Sequence, residues 1–376
     1  MTQTRRRRGY LDWMRGLAVL VMIEAHVIDS WTRVDARHTW QFMWAMILGG
    51  FGAPLFLFLA GVSVALSAGS RARRTGNPGA AARFVIMRGW WVFGLAFAFR
   101  VQSWILGMGS PRTLLKVDIL NIMGPAIVAA AALWGVCRTV RSRAFAFAGA
   151  ALAIAFLTPV VRHLPILEAW PEALAAYVRP VAGRSNFCIF PWAGFVFAGA
   201  FAGVLIDQAQ TRSAETRLNG RLFVWGAALG AGAYGASLLP SPYAHSEFWG
   251  GSPAFFFLRT GVIALLVATA FAWDARRVWF RGRVPASDAD PQSERWSPMQ
   301  QLGRSSLFIY WIHVEIVYGL ISLRIHKRLT HPEAWMALAA FIVFMLGCAA
   351  LKDWVVSRRH DRNAAPPPAA PAYAVQ

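Results

Sequence analysis

About ten apolar stretches, each near the ~20 residues an α-helix needs to cross a bilayer, follow one another along almost the whole chain. Their approximate limits are 10–30, 43–68, 84–107, 117–137, 144–161, 187–207, 221–239, 254–273, 304–323 and 334–352. This repetition predicts an all-α, polytopic transmembrane helix bundle. With 57% hydrophobic and only 15% charged residues among 376, the chain reads as one membrane domain. A soluble domain on an anchor would not carry apolar runs from end to end. Residues 1–9 form a basic N-terminus, 10–352 the transmembrane domain, and 353–376 a basic, Pro/Ala-rich disordered tail.

The net charge of +20 raises the alternative of a nucleic-acid binder. A binding footprint forms one continuous patch. Here the basic residues lie in short clusters between apolar runs: Arg5 to Arg8, Arg71/Arg73/Arg74, Arg138/Arg141/Arg143, Arg276/Arg277/Arg281/Arg283 and Arg358/Arg359. That is the positive-inside pattern, and it places both termini in the cytoplasm. The 324–333 loop dissents, since Arg324, Lys327 and Arg328 fall outside. No nucleic acid is expected as a partner, while the lipid bilayer is. The basic start followed by an apolar run resembles a signal peptide, but Glu24, His26 and Asp29 occupy the place of a cleavage site, which favours a retained first span. Cys137, Cys188 and Cys348 are scattered and predict neither a disulfide framework nor a zinc site. The longer loops are 162–186 outside and a polar linker, 274–303, inside.

Arg15 and His26 sit in the first span, eleven residues apart. Eleven helical steps return to within about 20° of the same direction and rise roughly 16 Å. Asp12, Arg15, Met22 and His26 therefore share one face, Asp29 lies close to it, and Glu24 points away. Ionisable groups at membrane depth rarely face lipid, so the stripe suggests a polar track. His26 can accept a proton from an attacking amine or hydroxyl, oriented by Asp29 or Glu24, and Arg15 can bind an anion from the inner side. Snorkelling of Arg15 and interfacial packing of His26 are the structural alternatives. His38, in the polar and aromatic loop Trp31–Trp40, is a second candidate base. That loop suits either a sugar or an interfacial aromatic belt.

Asp118 and Asn121 share a face at the outer start of the fourth span. Arg83 and Arg88, near the inner end of the third span, can join Arg15 in an anion site or simply snorkel. Ser306, Tyr310 and His313 share a face of the ninth span, for binding or for helix packing. Pro54 and the glycines around it, Gly49, Gly50, Gly52 and Gly61, predict a helix break or close packing. Gly230-x-Gly232-x-x-Gly235 matches a dinucleotide loop only literally, since it lies inside an apolar span with no strand before it.

The segment Leu11-Asp-Trp-Met-Arg15 through His26 resembles two groups of membrane acyltransferases. One is the acyltransferase-three group with its Arg-x10-His signature. The other, closer one is the heparan-alpha-glucosaminide N-acetyltransferase catalytic-domain family. Supporting segments are Ala53–Gly61, Asp118–Gly124, Phe190–Gly199 and Leu302–His313. The resemblance implies transfer of an acetyl group from cytoplasmic acetyl-CoA, without a metal, to an amine or hydroxyl of a glycan across the cell (inner) membrane. It makes 10–352 an acyltransferase-like domain and leaves a homodimer open. In the acyltransferase-three pattern the essential histidine falls on His26 and the arginine on Arg15. The heparan family has asparagine at the position of His26, and its catalytic histidine falls near His38 with a one-residue gap. This chain has histidine at both places, so the resemblance leaves the base undecided; the helix-fixed register favours His26. In the resulting scheme His26, Asp29 and His38 form the catalytic group, and Arg15, Arg83 and Arg88 hold the CoA phosphates. Asp118, Asn121, Tyr310 and His313 face the acceptor. A transporter or glycan-export partner, with the same stripe lining a path, is the alternative.

Overall fold

The computed structural model describes residues 8–107, 110–279 and 296–364. Among these the chain is helical, with two isolated β-bridges and no strand. The α-helices are α1 (Gly9–Trp31), α2 (Trp40–Gly49), α3 (Gly52–Thr75), α4 (Pro78–Gly107), α5 (Ile119–Val136), α6 (Val140–Val161), α7 (Glu172–Val178), α8 (Ile189–Gln208), α9 (Arg212–Ser237), α10 (Pro253–Trp279), α11 (Pro298–Arg304), α12 (Ser306–Tyr318) and α13 (His331–Ala364). Seven helical segments are long and apolar enough to cross a membrane. The core of the expected 274–303 linker, the first seven residues and the last part of the expected tail lie outside the described residues. Helix α13 runs on to Ala364, so the start of that tail, 353–364, is helical. Nothing in this stretch breaks a helix until Pro366, just beyond its end.

The ends of these helices are written into the sequence. Gly76 takes a left-handed φ of 65° and closes α3, Asn77 Oδ1 accepts from the Ala80 amide at 2.9 Å, and Pro78 opens α4. Thr139 and Asp118 cap α6 and α5 in capping boxes with Ser142 and Asn121. The second apolar run is interrupted at Gly50–Phe51, between α2 and α3. Pro54 falls in the first turn of α3, where no intrahelical amide bond is lost.

Helix ends gather on two faces. On the face bearing the N-terminus, Arg8 donates to Glu215 Oε1 at 3.0 Å and to the carbonyls of Ile206 and Ala209. Beside it Arg73 grips Asp207 with bonds of 2.6 and 2.8 Å. On the opposite face Thr32 pairs with Leu329, and Val117 with Ser185.

The centre of the bundle is the crossing of α3 and α8. A Cβ on Gly61 would lie 1.9 Å from the Val196 carbonyl oxygen, and one on Gly199 1.8 Å from that of Phe58. Only glycine lets the two backbones touch, which is how helices pack where lipid removes the hydrophobic drive between them. Helix α1 meets α11 in the same way at Gly16 and Gly303. Gly61→Val is expected to lower stability at the upper end of the ~1–3 kcal/mol that overpacking costs, because the obstacle is backbone rather than a mobile side chain. The thermal midpoint of the detergent-purified variant checks this.

Candidate active site: a cavity along the first helix

Helix α1 is the wall of a cavity of about 1590 Å³. Its lining side chains include Asp12, Arg15, Met22, His26 and Asp29, while Glu24 is buried on another side of the helix. From Asp12 to Asp29 the cavity follows α1 for about 26 Å, close to the ~30 Å of a hydrocarbon core. Pockets for one small molecule are ~300–1,000 Å³, so this one has room for two ligands end to end. The charges that line it, together with Glu24, are also why α1, 23 residues long, is not among the seven apolar spans.

The end near the N-terminus is basic. Arg15 donates to Asp12 Oδ1 at 2.8 Å and to Ser63 Oγ at 2.6 Å, which holds the guanidinium against α3. Arg88, Arg304 and Lys352 also line this end. Lys352 donates to Ser305 Oγ at 2.7 Å and sits 2.9 Å from Asp353. Arg83 is exposed and does not line the cavity. It is five residues from Arg88, about 140° round α4, so the two cannot share a face.

At the other end, His26 faces the cavity and its Nδ1 lies 2.8 Å from Nε2 of His313. His313 is fully buried behind it and does not line the cavity. The lining stripe of α12 is instead Ser306, Tyr310, Val314 and Tyr318. Asp29 lines the cavity, but its carboxylate accepts from the Tyr318 hydroxyl at 3.1 Å and lies 3.5 Å from Arg37, so His313, not Asp29, holds the imidazole. Arg37 also donates to the Asp29 and Thr32 carbonyls, and Thr39 Oγ1 lies 2.6 Å from His331 Nε2. With the loop tied down at these points, His38 is left exposed and away from the lining.

Asp118 lines the cavity as the N-cap of α5. One oxygen accepts from the Ile119 amide at 2.8 Å and the other from Arg100 at 2.6 Å. Asn121 is buried and occupied: its Oδ1 accepts from the Asp118 amide at 3.0 Å and its Nδ2 donates to the Tyr177 hydroxyl at 3.3 Å. Lys116 and Arg259 add positive charge to this end. Burial, and secondly the Arg100 guanidinium, hold the Lys116 ammonium below its usual range, with Asp118 opposing. Arg259 packs on the Phe255 ring at 3.8 Å and the Trp192 ring at 5.6 Å.

A polar cavity along a membrane helix, basic at one end and holding an imidazole at the other, is the arrangement expected of the resembled transferases. The family described as heparan-alpha-glucosaminide N-acetyltransferase, catalytic, matches residues 7–233, more than half of the chain. The chain belongs to this family. No curated protein matched it. The family's matched segment runs from the start of α1 into α9 and so holds Arg15, His26 and Asp118. Arg259, Arg304, Tyr310 and Lys352 close the same cavity from helices beyond that segment, and His313, also beyond it, backs His26. Sequence reasoning missed Ser63, Arg304 and Lys352 as site residues. The only local signal was charge or hydroxyl beside an apolar run, which many surface residues share.

Proposed function

We propose that this chain is an integral membrane acyltransferase that moves an acetyl or other small acyl group from cytoplasmic acyl-CoA to an amine or hydroxyl of an extracytoplasmic glycan. One observation carries the reading: a single cavity joins a cluster of cations near one face of the bundle to His26 near the other. The family membership supports acetyl transfer.

Ten crossings fit the helix order. The seven apolar segments are joined by α1, by α9 (diluted by glycines and Arg221) and by α11 with α12, each too short alone. An even number returns both termini to one side, and the Arg73, Arg143 and Arg358 neighbourhoods make that side cytoplasmic. The cationic end then opens to the cytoplasm. Arg15, Arg88, Arg304 and Lys352 match the phosphates of CoA in charge and position, and the long cavity accommodates an extended pantetheine arm. At the far end His26 takes the proton of the acceptor amine or hydroxyl as its lone pair attacks the thioester carbonyl. The C–S bond breaks as the new C–N or C–O bond forms, and the proton from His26 balances the departing thiolate. Lys116 and Arg259 face the acceptor.

The test is purified protein with labelled acetyl-CoA and a panel of amino sugars and envelope glycans. Label should pass to an acceptor, and Arg88→Gln should raise the KM for acetyl-CoA about tenfold, roughly 1.4 kcal/mol, with little change in acceptor KM. A protein that ignores CoA and carries a glycan across unmodified would be a transporter, and the proposal would fall.

A further inference from the structure

We infer that His313 is the positioning residue that fixes the tautomer of His26 and so makes Nε2 the basic atom. The inference rests on the acyltransferase reading, and its chemistry follows from one backbone carbonyl. His313 Nδ1 lies 2.7 Å from the carbonyl oxygen of Ile309. A carbonyl oxygen only accepts, so Nδ1 of His313 carries hydrogen and donates. In the neutral ring the other nitrogen, Nε2, is then an acceptor. It faces Nδ1 of His26 at 2.8 Å, which must donate. The two rings lie 11° from coplanar with centroids 5.1 Å apart, as an in-plane N–H···N bond requires. With its hydrogen committed to Nδ1, His26 presents a lone pair at Nε2, the nitrogen with no hydrogen-bond partner among the described residues, on a side chain that lines the cavity.

Charge explains why the partner is a histidine. In soluble hydrolases a carboxylate orients the imidazole and stabilises its charged form. His313 is fully buried at membrane depth, where an unpaired carboxylate is costly. A neutral imidazole anchored to a helix carbonyl sets the same tautomer and ring plane without burying a charge. The Tyr318 ring, edge-on to His26 with centroids 5.6 Å apart, confines the ring from another direction. His313 belongs to α12, beyond the segment 7–233 matched by the family.

Three variants separate positioning from packing. His313→Leu keeps bulk and removes the acceptor, and His313→Gln returns an acceptor oxygen near Nε2. His313→Leu should lower kcat on the order of 10–100-fold, with both KM values within about threefold, and His313→Gln should recover most of the loss. In the His26→Ala background the Leu substitution should cost little further, because the two residues act as a unit. Histidine-labelled ¹⁵N NMR of the wild-type protein reads the tautomer without turnover. His26 should show Nδ1–H, and the His313→Leu protein a mixture. Unchanged kcat in His313→Leu, equal impairment of the Leu and Gln variants, or an Nε2–H tautomer at His26 in the wild type would overturn the inference. Absence of any acyl transfer would instead sink the parent reading, and the NMR result would still stand on its own.

Discussion

His26→Ala is expected to lower acyl transfer by about 10²–10⁴-fold, the range that a positioned general base contributes. Among the described residues, the neighbouring carboxylates and the second imidazole are held elsewhere. Asp29 is engaged by Tyr318 and Arg37, Asp118 by Arg100 and the α5 amide, and His313 is behind the cavity wall. Binding of acyl-CoA should persist, since the cations proposed to take its phosphates lie at the other end of α1, some 16 Å from His26 along the axis. Folding should persist as well: the side chain abandons one hydrogen bond at a cavity edge, where water can replace it. A residual rate should remain, because thioesters are activated and alignment of the two substrates alone accelerates transfer. His38→Ala is the paired measurement. His38 is exposed and away from the lining, so its loss should leave kcat within about twofold. Steady-state kinetics on both variants decide between the two histidines. A collapse of activity in His38→Ala with His26→Ala intact would transfer the role of base to the loop.

The periodicity of α1 is what made this site legible. A helix that must place Asp12, Arg15, His26 and Asp29 somewhere in a bilayer puts them on one stripe, and that stripe is the cavity wall. The apolar runs were legible for a similar reason: eight of the ten fall on a single helix, with ends moved outward where polar turns such as Arg71–Thr75 continue it, while the second is split at Gly50–Phe51 and the ninth is broken at Ser305 and leaves its α-helix at Tyr318. Pairing across the bundle was not legible. His26 and His313 are 287 positions apart, and neither neighbourhood says which helix it will meet. Arg83 and Arg88 looked equivalent as charges, and only the rotation of α4 about its own axis separates them. Asn121 carried a plausible signal for binding that its capping role consumes. Local order follows from spacing, whereas a convergent site depends on which helices touch, and here backbone contacts such as Gly61 with Val196 and Gly303 with Asp12 decide that.

Removing one charge of the Arg100–Asp118 pair is expected to give the largest loss of stability of any single change around the cavity. The two side chains are 11% and 15% exposed and meet at 2.6 Å. Breaking such a pair from one side costs about 3–5 kcal/mol, because the remaining charge stays buried without its partner. Here the remaining guanidinium would also face Lys116, a like charge that Asp118 now offsets. Asp118 has a second duty as the α5 cap, worth about 1 kcal/mol, and the two duties can be separated. Asp118→Asn keeps a good cap and removes the charge; Asp118→Ala removes both. Both should lower the apparent thermal midpoint strongly, the Ala variant further by the cap. Arg100→Met with Asp118→Asn should recover part of the loss, since no buried charge is then left alone. If Asp118→Asn melts like the wild type, cavity water solvates the guanidinium and the pair serves the acceptor rather than the fold. The same variants then become probes of acceptor KM, because Asp118 lines the space next to His26.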